Sequence, residues 1–185
     1  RVSIQKNHTS THLLQFALKK ILGNHIEQRG SMLTEDIFRF DFSHQSKLSD
    51  KELNDVEELV KGLIKDGIKC VEDREANYDD AINAGAIGLF SEKYGDVVRT
   101  IKFGESYELC GGTHVYNTKE IEDFKIISEG SQAFGIRRIT ASSNKTRIKE
   151  EQLKDQALKE KAESEKANKL LQKEIDSQNK LKIQS

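Results

Sequence analysis

The chain has 185 residues, 35% of them hydrophobic, which suffices for one globular core with a small appendage. Its formal net charge of −1 excludes the global basic field that strong nonspecific nucleic-acid binding would need. Apolar runs fall short of the roughly 20 residues that span a bilayer, and no secretory signal peptide is visible. We therefore expect no membrane attachment.

Cysteine content and the first residue add two expectations. The chain has two cysteines, too few for a disulfide framework, so we expect a reducing, cytoplasmic setting. Cys70 is expected to be a small buried or half-buried strand residue. The chain begins with Arg1, which indicates either a piece of a longer polypeptide or the removal of a tag.

The first half of the chain predicts two helices and a strand. Apolar residues with a period near 3.6 predict a helix over residues 8–22, ending at Gly23. Residues 28–31 contain glycine and serine and indicate a turn or a strand edge. Strict alternation over 36–42 predicts a strand with a buried face of phenylalanines. A capping-box pattern then begins a helix over 49–67.

The second half predicts short strands and then one long helix. Strands or apolar turns are expected at residues 68–75, 86–90, 97–103, 106–109, 124–128 and 136–141, with a helical turn at 79–83. From residue 144 onward there is no glycine or proline, and mixed charges predict a solvated helix. Its apolar positions keep no strict heptad, so self-association through this helix is an open alternative.

These elements favour an α+β fold, with a mixed or antiparallel sheet packed with helices and a long C-terminal helix. We expect a globular domain over residues 1–143 and a helical connector or coiled-coil-like tail over 144–185. Basic pairs such as Lys19 with Lys20, or Arg99 with Lys102, are candidate RNA contacts. Each of them is more often an ordinary solvated surface.

Two pairs of metal-ligand residues share the same i, i+4 spacing. His8 and His12 form the first pair, and Cys110 and His114 form the second. On a helix this spacing puts two side chains on one face, about one turn apart. Together the pairs supply three imidazole nitrogens and one thiolate, a set that favours tetrahedral Zn²⁺. The alternative is that the histidines are solvated and Cys110 is an ordinary buried thiol.

The residues between the ligands predict a substrate cleft around the zinc. Gly111 and Gly112 allow close backbone approach, and Thr113 adds a hydroxyl. Thr11 is our choice for a hydroxyl that faces the cavity and favours a hydroxyl-bearing substrate. Thr9 and Ser10 are equally well interpreted as N-caps of the helix, instead of as residues that line the cavity. Zinc could activate water, polarise an ester carbonyl or only anchor the substrate.

Several ordered blocks carry a resemblance to a known family. They are NHTSTH at 7–12, QRGS at 28–31, RFDF at 39–42, ELCGGTHV at 108–115 and GIRRI at 135–139, with LFSEKYG at 89–95 similar as well. Over residues 4–143 the chain resembles the editing domain of alanyl-tRNA synthetase, and the tail is similar to the helical connector that follows this domain.

The resemblance implies hydrolysis of the ester that joins serine or glycine to the 3′ end of tRNA(Ala) after a charging error. Such a site is needed because an alanine pocket rejects glycine by only ~1–3 kcal/mol and excludes an added hydroxyl poorly. The resemblance gives the metal positions to His8, His12, Cys110 and His114. By the same resemblance, we expect this chain to lack the parent's aminoacylation domain, which binds ATP, and its C-terminal domain.

The resemblance also implies roles beyond the metal. Gln28 matches a glutamine that lines the editing pocket, where an amide positions groups but does not act as a general base. Arg137 and Arg138 could contact tRNA, or one of them could be a surface residue. Readout of a single-stranded 3′ end involves base stacking, but the sequence does not identify the aromatic residue.

Three alternatives stay open at this point. A freestanding alanyl-tRNA editing protein would share the motifs and the reaction, although the long tail favours an excised domain. The editing domain of threonyl-tRNA synthetase has similar ligand pairs, but the blocks at 39–42 and 135–139 favour the alanyl type. A non-catalytic, zinc-stapled RNA-binding module is the third alternative.

Overall fold

A computed structural model describes residues 2–89 and 94–183. The chain divides into two compact units, Arg1–Ile148 and Lys149–Ser185. In chain order the elements are α1 (Val2–Leu22), β1 (Gln28–Leu33), β2 (Phe38–Ser43), α2 (Asp50–Asp66), β3 (Val71–Asn77), α3 (Tyr78–Asn83), β4 (Val97–Phe103), β5 (Ser106–Leu109), β6 (Lys125–Ala133), β7 (Ile136–Ser142) and α4 (Lys145–Ile183). This confirms the α+β class, and both sheets are antiparallel.

The larger sheet has the strand order β1-β2-β7-β6 and forms the main core with α1 and α2. The predicted alternation of β2 is confirmed, because its three phenylalanines at 38, 40 and 42 are fully buried. Burying each ring stabilises the fold by about 1.5–3 kcal/mol. Residues 28–31 belong to β1 at the edge of this sheet, as the strand-edge alternative predicted.

Helix α1 packs its apolar face on this sheet but begins earlier than predicted. It starts at Val2 instead of residue 8, so Thr9 and Ser10 lie well inside the helix. Their interpretation as N-caps is therefore wrong. The hydroxyl of Ser10 instead lies 2.5 Å from that of Ser143 in the core. The predicted end at Gly23 is confirmed, since its φ of 115° suits glycine.

Helix α2 begins at the predicted capping box. Ser49 accepts a hydrogen bond from the Glu52 N–H, and the Glu52 carboxylate accepts one from the Ser49 N–H. The helix ends at Gly67, whose φ of 70° is in the left-handed region. Both ends were therefore readable from local residue types.

The smaller sheet has the order β3-β4-β5. Strands 97–103 and 106–109 match their predicted bounds. Among the described residues of 86–90, only an isolated bridge forms, between Ile87 and Glu108. Residues 90–93 lie outside the described residues. They include Phe90 and most of the similar block at 89–95. Strand β5 ends at Leu109, so Cys110 is the first residue of the loop that follows this sheet.

Helix α4 extends over Lys145–Ile183, as the change in composition predicted. Among the described side chains of the second unit, the apolar Leu153, Leu158 and Leu170 are exposed. Self-association through this helix stays a prediction. Across the described ranges, none of the helices combines the length and apolar character needed to cross a membrane.

Candidate metal centre

The four predicted metal ligands lie together. His8, His12, Cys110 and His114 each offer a ligand atom, and these atoms all lie within 4.8 Å of one another. The Cys110 Sγ is 3.5 Å from His8 Nε2 and 3.4 Å from His114 Nε2. The ring centroid of His114 is 4.2 Å from that of His8 and 4.5 Å from that of His12. The cluster could hold a metal ion.

The two pairs reach this cluster from different local structures. His8 and His12 lie one turn apart on α1, with His12 at 4% exposure and His8 half-buried. Cys110 and His114 lie in the irregular segment after β5. The i, i+4 spacing of the second pair therefore does not come from a helix, and other contacts must hold the loop.

Arg99 on β4 supplies those contacts. Its Nη1 donates to the carbonyl oxygens of Cys110 at 2.7 Å and Gly112 at 2.6 Å. Its Nε donates to Glu72 on β3 at 2.7 Å. Hydrogen bonds from Arg99 and then Arg74 lower the pKa of Glu72 to about 2, so this carboxylate is ionised at neutral pH. Sequence reasoning had treated Arg99 as a surface candidate and missed this function.

The two glycines of the loop are not equivalent. A Cβ on Gly112 would lie 2.6 Å from His8 Nδ1, closer than packing allows. A Cβ on Gly111 would meet no atom within 4 Å. Gly112 is therefore required for the loop to pass His8, whereas Gly111 leaves open space at the cavity.

Backbone and hydroxyl groups orient two of the imidazoles. His8 Nδ1 lies 3.2 Å from the Thr113 carbonyl oxygen, which can only accept, so this nitrogen carries the proton. Thr9 Oγ1 accepts from the Val115 N–H and lies 3.2 Å from His114 Nδ1. If His114 Nδ1 donates to this oxygen, the Nε2 atoms of His8 and His114 keep a lone pair beside Cys110. Hydrogen bonds to the other ring nitrogen commonly orient metal-binding imidazoles in this way.

The third imidazole has a buried carboxyl group as its neighbour. Glu108 Oε2 lies 3.5 Å from His12 Nε2, and both side chains are almost fully buried. Within the described part of the chain, His12 Nδ1 has no hydrogen-bond partner. A buried nitrogen without a partner is costly, and a cation would satisfy it. Burial raises the pKa of Glu108 to about 8. Sequence reasoning missed Glu108, although a carboxyl group beside Leu109 and Cys110 was a usable signal.

Burial also sets the ligands' protonation. It lowers the pKa of His8, of His12 and of His114, the last to about 3 with a further contribution from His8. All three imidazoles are therefore neutral at pH 7, the form that binds metals. Burial raises the pKa of the Cys110 thiol, so a nearby cation would be needed to favour its thiolate.

A cavity of about 340 Å³ adjoins the cluster, and its walls include His8, His12 and Cys110 with Thr11, Gln28 and Gly111. Thr11 Oγ1 donates to the Asn7 carbonyl at 2.9 Å, so its remaining lone pairs can accept. Gln28 Nε2 donates to Ser31 Oγ at 3.2 Å. Thr113 instead lines a different cavity, and it contributes to the cluster through its carbonyl group.

The two predicted tRNA-binding arginines are already paired with carboxylates. Arg137 Nε donates to Glu129 on β6 at 2.5 Å. Arg138 donates to both oxygens of Asp41 on β2, at 2.6 and 2.8 Å. Each positive charge is thus compensated within the larger sheet, and contact of these arginines with tRNA stays a prediction.

Known proteins match the chain in the same region. Residues 98–140 match the family described as "Threonyl and Alanyl tRNA synthetase second additional domain". Alanine--tRNA ligase of Christiangramia forsetii is 51% identical over 154 residues, which cover 82% of this chain and 18% of that protein. The corresponding ligase of Flavobacterium psychrophilum is 54% identical over 141 residues, covering 76% of this chain and 16% of the ligase.

A third relative extends the similarity beyond these two bacteria. Alanine--tRNA ligase of Wolbachia pipientis is 47% identical over 148 residues, covering 80% of this chain and 17% of the ligase. The chain thus spans less than a fifth of the length of these relatives. With about half of the residues identical over most of its length, the chain belongs to the family of alanyl-tRNA synthetases and corresponds to the part that contains the second additional domain.

Proposed function

We propose that the chain is an editing domain that hydrolyses the ester joining serine or glycine to the 3′ end of tRNA(Ala). The observation that carries this proposal is a cluster of three imidazoles and one thiol, of which His8, His12 and Cys110 line a cavity of about 340 Å³. A closed structural site would have no need of such a cavity. The match to alanine--tRNA ligases supplies the tRNA as the partner.

Zn²⁺ is the metal that we propose for the cluster. Its preferred ligands are nitrogen and sulfur, whereas Mg²⁺ and Ca²⁺ prefer oxygen. The unpartnered Nδ1 of His12 and the neutral imidazoles fit a bound cation. When bound, zinc would act as a Lewis acid that polarises the ester carbonyl or lowers the pKa of water. The need for a reduced Cys110 agrees with a cytoplasmic location.

Thr11 is the residue that we propose for recognising serine. Its own proton is used in the bond to the Asn7 carbonyl, so its oxygen is left to accept from a donor in the cavity. A serine hydroxyl can donate to this oxygen, but an alanine methyl group cannot. A buried hydrogen-bonding group of this kind discriminates far better between the two than an apolar wall does.

Gln28 is the second positioning residue. Its amide nitrogen donates to Ser31, which fixes the side chain beside the cavity. The amide does not take up a proton near neutral pH, so we assign it the orientation of the aminoacyl group or of water, without proton transfer.

Deacylation of seryl-, glycyl- and alanyl-tRNA(Ala) by the 185-residue chain tests the proposal. We expect hydrolysis of the seryl and glycyl esters, with the alanyl ester spared. Cys110→Ala should abolish the activity. Cys70→Ala is the matched control, because Cys70 is also a half-buried free thiol but lies outside the cluster.

Three outcomes would contradict the proposal. Absence of deacylation at every protein concentration would favour the non-catalytic RNA-binding module. Full activity of Cys110→Ala would separate the reaction from the metal cluster. Equal hydrolysis of the alanyl ester would remove the proofreading function, because correctly charged tRNA would be destroyed.

A further inference from the structure

A second cavity, of about 490 Å³, adjoins the one beside the metal cluster. Gln28 and Leu89 line both cavities, so the two lie side by side. The second cavity is also lined by Gln15 and Lys19 of α1, by Arg29 of β1 and by Tyr78 of α3. Its volume lies in the usual range of small-molecule and cofactor sites. A substrate held at the cluster can therefore extend past Gln28 into this space.

Gln15, which lines this cavity, has a buried hydrogen-bond acceptor that is not used. The residue is 1% exposed, and among the described residues its Oε1 has no hydrogen-bond partner. Burying an amide oxygen without a donor is unfavourable, so the oxygen indicates a ligand that brings an N–H or O–H group. The exocyclic amine of adenine and a ribose hydroxyl are both donors of this kind.

Two tyrosines form a stacked pair where the two cavities meet. The rings of Tyr78 and Tyr94 lie 5.8 Å apart with an interplanar angle of 26°. Tyr78 lines the second cavity, and Tyr94 lines the one beside the metal cluster. Aromatic side chains in a groove are the usual platforms on which the bases of single-stranded nucleic acids stack.

Two cations lie on the same walls. Lys19 is half-buried and lines the second cavity. Arg29 donates to Glu27 at 2.9 Å, and both of these side chains are more than half exposed. An exposed ion pair is weak, so the Arg29 guanidinium can exchange its carboxylate for a phosphate at little cost. Arg138, in contrast, is held by both oxygens of Asp41.

We propose that this second cavity is the subsite for the terminal nucleotide of the tRNA 3′ end. The base stacks on Tyr78, the Gln15 oxygen accepts a hydrogen bond from the base or the ribose, and Lys19 and Arg29 contact the phosphate. This inference rests on the proposed function, because it extends the aminoacyl site along the same substrate. It places the RNA on the α1, β1 and α3 side instead of at Arg137 and Arg138.

Photocrosslinking tests the placement independently of catalysis. A tRNA(Ala) with a photoreactive azido-adenosine as its last nucleotide is irradiated with the 185-residue chain, and the crosslinked peptides are mapped by mass spectrometry. We expect saturable crosslinks at Tyr78 or Lys19. Crosslinks confined to the β6–β7 hairpin, or the absence of any saturable crosslink, would overturn the subsite.

The deacylation assay separates this inference from the proposed function. Deacylation without a crosslink in the second cavity would overturn the subsite and leave the editing function standing. A crosslink at Tyr78 without deacylation would keep the subsite as an RNA-binding site and overturn the editing function.

Kinetics of the seryl-tRNA reaction sharpen the test. Tyr78→Ala should raise KM about tenfold with little change in kcat, because it removes a stacked base contact. Tyr78→Phe should restore the wild-type KM, since the ring is what stacks. Tyr116→Ala is the matched control, because Tyr116 is 85% exposed and lines a different cavity. An unchanged KM in a folded Tyr78→Ala protein would contradict the proposal.

Salt dependence provides a variant that leaves the aromatic packing intact. Lys19→Gln should weaken tRNA binding and lower the slope of log K against log salt by about one, as expected for one lost phosphate contact. An unchanged slope would remove Lys19 from the site. The circular dichroism spectrum of each variant establishes that the fold is retained.

Discussion

The two ligand pairs have the same spacing, but the fold holds them in different ways. The pair on α1 is positioned by the helix itself, since His8 and His12 follow one another after a single turn. The pair after β5 depends on tertiary contacts, namely the Arg99 hydrogen bonds to two loop carbonyls and the missing side chain at Gly112. Spacing alone therefore predicts which four residues come together, but not what holds each pair in place.

This difference has a mechanical consequence. A helix resists local change because its backbone groups are already bonded to one another. The loop has no such ladder, and its geometry depends on Arg99, Glu72 and Thr9. Substitutions in the supports of the loop should therefore disturb metal binding while α1 keeps its structure.

The largest expected effect is that of Gly112→Ala. A methyl group there collides with His8, so the loop and the ring cannot keep their contact. Zinc affinity should fall about 100-fold, and seryl-tRNA deacylation should fall with it. Gly111→Ala is the matched control and should retain both, because its methyl group would point into open space. Equal losses in the two variants would show that general loop flexibility matters instead of the approach to His8.

Removal of the Arg99 side-chain hydrogen bonds should have the next largest effect. Arg99→Gln loses the donors to the Cys110 and Gly112 carbonyls, so zinc affinity should fall about 10- to 100-fold in a competition titration. Lys102→Gln, at an exposed position on the same strand, is the control for lost positive charge. Unchanged affinity in Arg99→Gln would mean that the loop holds its shape without this residue.

Thr9→Val tests the hydroxyl through which α1 contacts both Val115 and His114 of the loop. It leaves the buried Val115 N–H without its acceptor, so the free energy of unfolding should fall by about 1–3 kcal/mol. Zinc affinity should fall roughly tenfold, because His114 Nδ1 loses its partner as well. Thr9→Ser keeps the hydroxyl and should lie close to the wild type in urea unfolding. Equal stability of the valine and serine variants would exclude the hydroxyl as the support.

The smallest expected effect is a pH dependence of the loop anchor. The pKa of Glu72 is lowered to about 2 in the folded chain, so its contribution is present above the unfolded value near 4.5 and is lost as the pH falls toward 2. In urea unfolding of the metal-free chain, the free energy of unfolding of the wild type should be slightly higher than that of Glu72→Gln at pH 6. The two values should be equal near pH 2. A difference in the free energy of unfolding that grows as the pH falls would contradict the assigned ion pair.

The local features of the fold and the ligands were readable from the sequence. Helix α2 was bounded by a capping box and a glycine, and β2 by its alternating phenylalanines. The four ligands were chosen from residue type and spacing alone, and the structure brings them together. Such patterns depend on residues that are close in the sequence, so they can be recognised before the fold is known.

Features that depend on distant pairing were not readable. The helix was predicted over residues 8–22 from its apolar period, but it begins at Val2, and tertiary contacts bury the polar Asn7, Thr9 and Ser10. The partners of Arg138 and Arg99 lie on neighbouring strands, so their roles required the strand order. The division into two separate sheets required it as well.

X-ray absorption at the zinc edge, combined with elemental analysis of protein purified without chelator, tests the central claim most directly. The account predicts one zinc per chain, with one sulfur and imidazole nitrogens as ligands, and loss of the sulfur signal in Cys110→Ala. A zinc content near zero, or a ligand shell without sulfur in the wild type, would contradict it.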